Sequence, residues 1–153
     1  MVRFLLLVAL FFAGCEPHST ALPLRYTDRT DGFTFDLPAS WQGFSIVNKE
    51  WVGYANSTIV ERGPLVIIRH PPITSKLPYQ DIPVMVFTED QWNDFTHSKF
   101  NVTANGVAEE LGRNSKYVFV LPPQYNFEDA EGIPEVSNII LQKPLHGFNS
   151  IFL

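Results

Sequence analysis

Gly32-Phe33-Thr34-Phe35-Asp36-Leu37-Pro38-Ala39-Ser40-Trp41 is the stretch from which the fold class is read. Phe33, Phe35 and Leu37 alternate with Thr34 and Asp36, the two-residue period of a strand buried on one face. Asp31-Gly32 before it is a turn dipeptide, and Pro38 ends it because proline has no N–H to give a ladder. Working outward, Tyr26 starts a short strand on the N-terminal side. Phe44 and Ile46, with Val47, continue a second strand after Gly43.

Further along, Trp51, Val52 and Tyr54 form a weak strand that ends in an Asn56-Ser57 turn. Leu65 to Arg69 carries β-branched residues on both faces, as a central strand does, and Pro71-Pro72 stops it. A loop is expected from Ile73 to Gln80. Val84 to Phe87 is a second central strand. Thr88 followed by Gln91 has the spacing of a capping box, with Trp92 and Phe95 on one face of the short helix it opens. Phe100 and Val102 are expected in an edge strand. Val107 to Leu111, stopped by Gly112, reads as a helical turn or two. Tyr117 to Leu121 is another buried strand. QYNFEDAEG (124–132) is a polar, acidic loop. Pro134 suits a first helical turn, Val136, Ile139 and Ile140 line one helix face, Pro144 closes that helix, and Phe148 to Leu153 is an apolar tail. The expected fold class is α+β: one domain over residues 25–153, a mostly antiparallel sheet packed with two or three short helices.

Composition bounds the function. The 153 residues are 45% hydrophobic and 14% aromatic, with thirteen Phe, enough for a real core. Twelve Pro shorten the helices. The net charge is -5 and no Lys/Arg block occurs, so no nucleic acid partner is expected, because nothing supplies the phosphate attraction that binding requires. Cys15 stands alone, which leaves no internal disulfide and no thiolate cluster.

The start of the chain has its own logic. Arg3 is followed by an apolar run from Phe4 to Ala13, then Gly14, Cys15 and the polar Glu16 to Thr20. Ten helical residues span about 15 Å, half of a bilayer's hydrocarbon core, so the run is too short to cross and reads as a secretion signal. Phe12-Ala13-Gly14-Cys15 resembles the lipobox of bacterial lipoproteins, with Phe where a branched residue is usual. The resemblance implies a signal peptide over 1–14, a lipidated Cys15 with a short tether over 15–24, and a membrane lipid as partner through the acylated thiol; the alternatives are an ordinary signal peptide that happens to contain a cysteine and a retained membrane anchor.

Two further resemblances bear on the domain. GFTFDLPASW is similar to the strand-turn opening of the PsbP/Mog1-like superfamily, which implies an α/β/α sandwich. GPLVIIRHP (63–71), QDIPVMVFTEDQW (80–92) and LGRNSKYVFVLPPQYNF (111–127) resemble a group of uncharacterised bacterial, especially acidobacterial, lipoproteins. That likeness implies fold and a cell-envelope location, on the periplasmic side or at the outer membrane, and no activity.

Chemistry-bearing residues are sparse. Arg69-His70 ends a central strand, and with Asp81, Asp90 or His97 it is the candidate for a metal-dependent binder or enzyme; metal binding needs three or four converging ligands, and no HxH, HExxH or Cys/His spacing is present. No GxSxG elbow surrounds Ser40, Ser45 or Ser57. Glu109 and Glu110 are adjacent and point apart on a helix. Glu128, Asp129 and Glu131 lack a calcium-loop pattern, and the Asn56 and Asn101 sequons carry no meaning in a bacterial lipoprotein. Arg113-Asn114, the QDIP segment and PPQYNF are candidates to line one end of the sheet; there Tyr79, Trp92, Tyr125 and Phe127 either rim a groove for a peptide or small apolar ligand or serve core and loop packing, the latter being the favoured reading. The candidate ligand-binding residues are therefore Arg69, His70, Asp81, Trp92, Arg113 and Tyr125, with a hydrogen-bonded histidine fixing a proline-rich loop as the favoured reading of His70. No catalytic residue, bound metal or cofactor is assigned. The leading expectation is a non-catalytic, lipid-anchored envelope protein that binds or scaffolds another envelope component. The metal-dependent alternative requires His70 to meet a second His and a carboxylate.

Overall fold

The computed structural model describes residues 24–71, 81–102, 107–123 and 133–149. The first hairpin pairs β1 (Leu24–Asp28) with β2 (Phe33–Leu37), Leu24 facing Leu37 and Asp28 facing Phe33. Phe33, Phe35 and Leu37 are buried while Thr34 and Asp36 are partly exposed, the alternation expected of GFTFDLPASW. A short 3-10 turn at Ala39–Trp41 then brings Trp41 fully into the core.

The second and the weak third strand of the sequence reading are one element, β3 (Ser45–Ala55). It turns at Asn56 and Ser57, both with left-handed backbone (φ 48° and 64°), into β4 (Thr58–Arg69). That two-residue turn matches the right-handed twist of a hairpin, and β4 pairs with β3 along its whole length, from Ser45 against Arg69 to Ala55 against Thr58, so Asn48 to Glu50 join the two expected strands into one. β5 (Ile82–Thr88) follows, then α1 (Glu89–Thr96). Thr88 accepts from the Gln91 N–H and the Gln91 side chain accepts from the Thr88 N–H, so the capping box is formed. β6 (Asn101–Val102) is an edge strand on β3.

Residues 107–112 depart from the expectation. The expected helix is instead β7 (Glu109–Arg113), antiparallel to β8 (Tyr117–Leu121). β8 is buried on both faces and already pairs with β5 on one edge, so its other edge needs a ladder partner. Gly112 is not a helix stop: the register slips between Glu110 and Gly112, and a Cβ on Gly112 would lie 3.1 Å from Leu145. α2 (Ile133–Leu141) buries Val136, Ile139 and Ile140 as read from the sequence. β9 (Leu145–Gly147), which the sequence reading did not place, pairs with β2.

The result is a mixed α+β fold. Six strands lie in the order β6-β3-β4-β5-β8-β7 and three in the order β1-β2-β9, and every described pair is antiparallel. Alternation on β5 and β8 splits the interior into two cores. Ile82, Val84, Val86, Phe119 and Leu121 face the small sheet and α2; Met85, Phe87, Val118 and Val120 face Trp51, Phe100 and α1. The small sheet curls onto the β7 edge, where Gly147 lies against the Arg113 carbonyl so closely that a Cβ would sit 2.1 Å from its oxygen. Asn114 stitches this junction. Its Nδ2 donates to the carbonyls of Asp31, Gly32 and Phe148 at 2.8, 3.0 and 3.2 Å, and its Oδ1 accepts from the Lys116 and Tyr117 N–H groups. Among the described residues no helix is long and apolar enough to cross a membrane.

Candidate functional site

Among the described residues, those singled out from sequence do not form one site. Because Ile68 faces Ile82, the end of β4 meets the start of β5, and Arg69 Nε donates to Asp81 Oδ2 at 3.0 Å. His70 is buried beside them, its ring edge-on to Trp41 with centroids 4.8 Å apart. Arg113 lies at the other end of the sheet. Val118, its partner, faces Phe87, five strand residues or about 17 Å from Ile82. Arg113 pairs there with Glu110 (2.7 Å) and Glu89 (3.1 Å). The expectation that Arg113-Asn114 and the QDIP segment share one end is therefore corrected by the register. Trp92 is part-buried: it stacks on Phe95 and meets Phe87 edge-on at the margin of the second core. Tyr79, Tyr125, Phe127, the acidic 128–131 cluster and Cys15 lie outside the described residues. Among the described residues no three His, Cys, Asp or Glu side chains gather as metal ligands, so His70 does not meet a second His and a carboxylate.

A concave feature of the described surface lies elsewhere. A groove of about 550 Å3 opens between the end of β2, the outer side of α2 and the turn into β9. Its size falls within the usual range of small-molecule clefts. Leu37, Ile139 and Pro144 are apolar and buried and form its floor. One wall is Asp36 and His146, which point outward because their neighbours Phe35, Leu37 and Leu145 point inward. The other wall is Glu135 and Asn138, three residues apart on one face of α2, with Gln142 in the turn just past its end. Lys143, held at φ 52°, closes the end.

The two carboxylates of the groove are pre-set by neighbours. Arg25 faces Asp36 across β1 and β2 and grips it with two hydrogen bonds, 2.6 and 2.8 Å. That bidentate hydrogen bond holds the Asp36 carboxyl below the usual aspartate range against a smaller opposing effect of burial; His146, with Nε2 at 3.6 Å, adds in the same direction. Glu135 accepts from the Ser40 hydroxyl, which ties α2 to the turn after β2. With Arg25 and Lys143 counted, the two carboxylates are balanced and the groove is close to neutral. No motif flagged these residues. The signals available were the apolar stripe of α2, which leaves 135, 138 and 142 outside, and the outward position of Asp36.

A second polar cluster lies in the β1–β2 turn. The Tyr26 hydroxyl donates to Asp28 Oδ2 at 2.9 Å, and Asp28 Oδ1 accepts from the Thr30 and Asp31 N–H groups. Burial, then the Asp28 charge, pushes the Asp31 carboxyl up, while Lys116 pulls the other way. Burial and then the Asp28 bond push the Tyr26 phenol well above its usual range. These bonds close the turn.

Comparison with known proteins adds no family: no protein-family model, no curated protein and no solved structure matches the chain.

Proposed function

We propose that the chain is a lipid-anchored, non-catalytic binding domain of the cell envelope, held at a membrane surface through an acylated Cys15. The lipobox-like FFAGC supports the anchor. The groove beside α2 supports the binding role and carries the reading, since it is a formed cleft with an apolar floor and pre-set polar walls. Its place strengthens the link between the two. Leu24 faces Leu37, so the chain enters the domain at the end of β2 where the groove begins. The nine residues from Cys15 to Leu24 reach at most about 30 Å, which keeps the groove in the membrane-proximal layer. For the layering, α1 on one face of the six-stranded sheet and α2 on the other support the α/β/α sandwich of the PsbP/Mog1-like group.

The test is crosslinking in intact envelopes with a photoreactive amino acid in place of Gln142, against the same group in place of Arg62 on β4. A discrete adduct at 142, absent at 62 and lost when Cys15→Ser removes the anchor, is the expected result. An adduct that persists unchanged in Cys15→Ser removes the anchoring claim, and no adduct at 142 removes the binding claim.

A further inference from the structure

We infer that the groove takes a neutral, hydroxyl-rich ligand, a short oligosaccharide; this rests on the reading of the groove as the binding site and names what it binds. The chemistry of the walls is the ground. Asp36, Glu135, Asn138, Gln142 and His146 all present planar polar groups to one cleft. A carboxylate or carboxamide sets two hydrogen-bonding atoms side by side, which matches a pair of neighbouring hydroxyls. The carboxylates accept, the exposed Asn138 and Gln142 both accept and donate, and a hydroxyl does both, so either orientation finds a partner. Arg25 and Ser40 each hold one carboxylate in place, so little side-chain freedom is lost on binding. The floor of Leu37, Ile139 and Pro144 suits the C–H face of a sugar ring.

Charge and backbone argue against the other small ligands. With Arg25 and Lys143 balancing Asp36 and Glu135, the groove has no net charge to favour an anion or a cation over a neutral ligand. An extended peptide docks by adding to a free strand edge. Here β2 is flanked by β1 and β9, and the Asp36 N–H is already given to the Pro144 carbonyl at 2.9 Å.

The test is a two-dimensional amide NMR titration of the purified full chain with maltotriose, cellotriose and chitotriose at millimolar concentration, with trialanine as the peptide probe. The expected result is saturable shifts from at least one trisaccharide, centred on Asn138, Gln142 and His146, and reduced at least tenfold in affinity by Asn138→Ala with Gln142→Ala. The spectrum of that double variant reports whether it is folded, and Gln142→Glu, which keeps the side chain's size, serves as a second variant. Shifts at the groove from trialanine alone overturn the oligosaccharide inference and leave the groove as the binding site. Trisaccharide shifts outside the groove, or no shift from any probe, overturn the inference as well.

Discussion

Asn114→Ala is the sharpest test of how the two sheets are joined. The side chain serves five main-chain groups: three carbonyls, from Asp31, Gly32 and Phe148, and the N–H groups of Lys116 and Tyr117. Nδ2 has two protons for its three acceptors, so the side chain supplies about four full bonds, each worth about 1 kcal/mol net. The site is part-buried, so water recovers some of them, and the loss is expected at about 3 kcal/mol, within the range of a broken buried network. At roughly 3–4 °C per kcal/mol for a domain of this size, the thermal midpoint should fall by about 10 °C. Urea unfolding followed by tryptophan fluorescence measures it, with the exposed Ser115→Ala as control. Asn114→Asp refines the test. It keeps the Oδ1 acceptor but aims a second oxygen at three carbonyls, so at neutral pH it should cost at least as much as alanine, with recovery as acid restores a donor. A loss under about 1 kcal/mol for Asn114→Ala, or an Asn114→Asp protein as stable as the parent at neutral pH, would refute the clasp.

Other outcomes follow from single contacts. Gly147→Ala forces a Cβ against the Arg113 carbonyl and should destabilise by about 2 kcal/mol or more in urea titration, while Gly43→Ala, with open space around it, pays only for its backbone angle. Trp51→Phe removes the indole N–H that donates to the buried Val86 carbonyl at 2.9 Å, and should cost about 1–3 kcal/mol by the same assay. The Asp36 carboxyl is held low in the folded state, so its contribution is complete above about pH 4 and is lost as pH falls through the depressed value. Asp36→Asn should therefore lower stability at neutral pH and flatten the acid limb of a stability profile. Asp31 is the opposite: its raised carboxyl penalises folding at neutral pH and the penalty fades as pH falls, so Asp31→Asn should be more stable than the parent near pH 7 and lose that advantage in acid.

The contrast between what the sequence revealed and what it hid has a physical pattern. Phe33 to Leu37, a period-2 run with one buried face, and Tyr117 to Leu121, a continuous apolar run buried on both, were legible because each signal lies within five residues. The capping box at Thr88 was legible for the same reason: both of its partners lie within four residues. β7 was not, since Ala108, Glu109 and Glu110 favour a helix and only the unpaired edge of β8, a distant element, makes them a strand. β9 was hidden because three residues carry no period and take their structure from β2. The groove was hidden in the same way. Asp36 is about a hundred residues of chain from Glu135 and His146 and meets them only because β9 returns to β2. Arg69 and His70 were correctly placed at a strand end, yet the ring of His70 turns inward to Trp41.

The account depends most on the state of Cys15. Mass spectrometry of the mature N-terminal peptide, from protein recovered in the membrane fraction of a bacterial host, reads it directly. The account predicts a chain beginning at Cys15 with diacylglycerol on its thiol. A mature chain beginning at any other residue, or an unmodified Cys15, would contradict it.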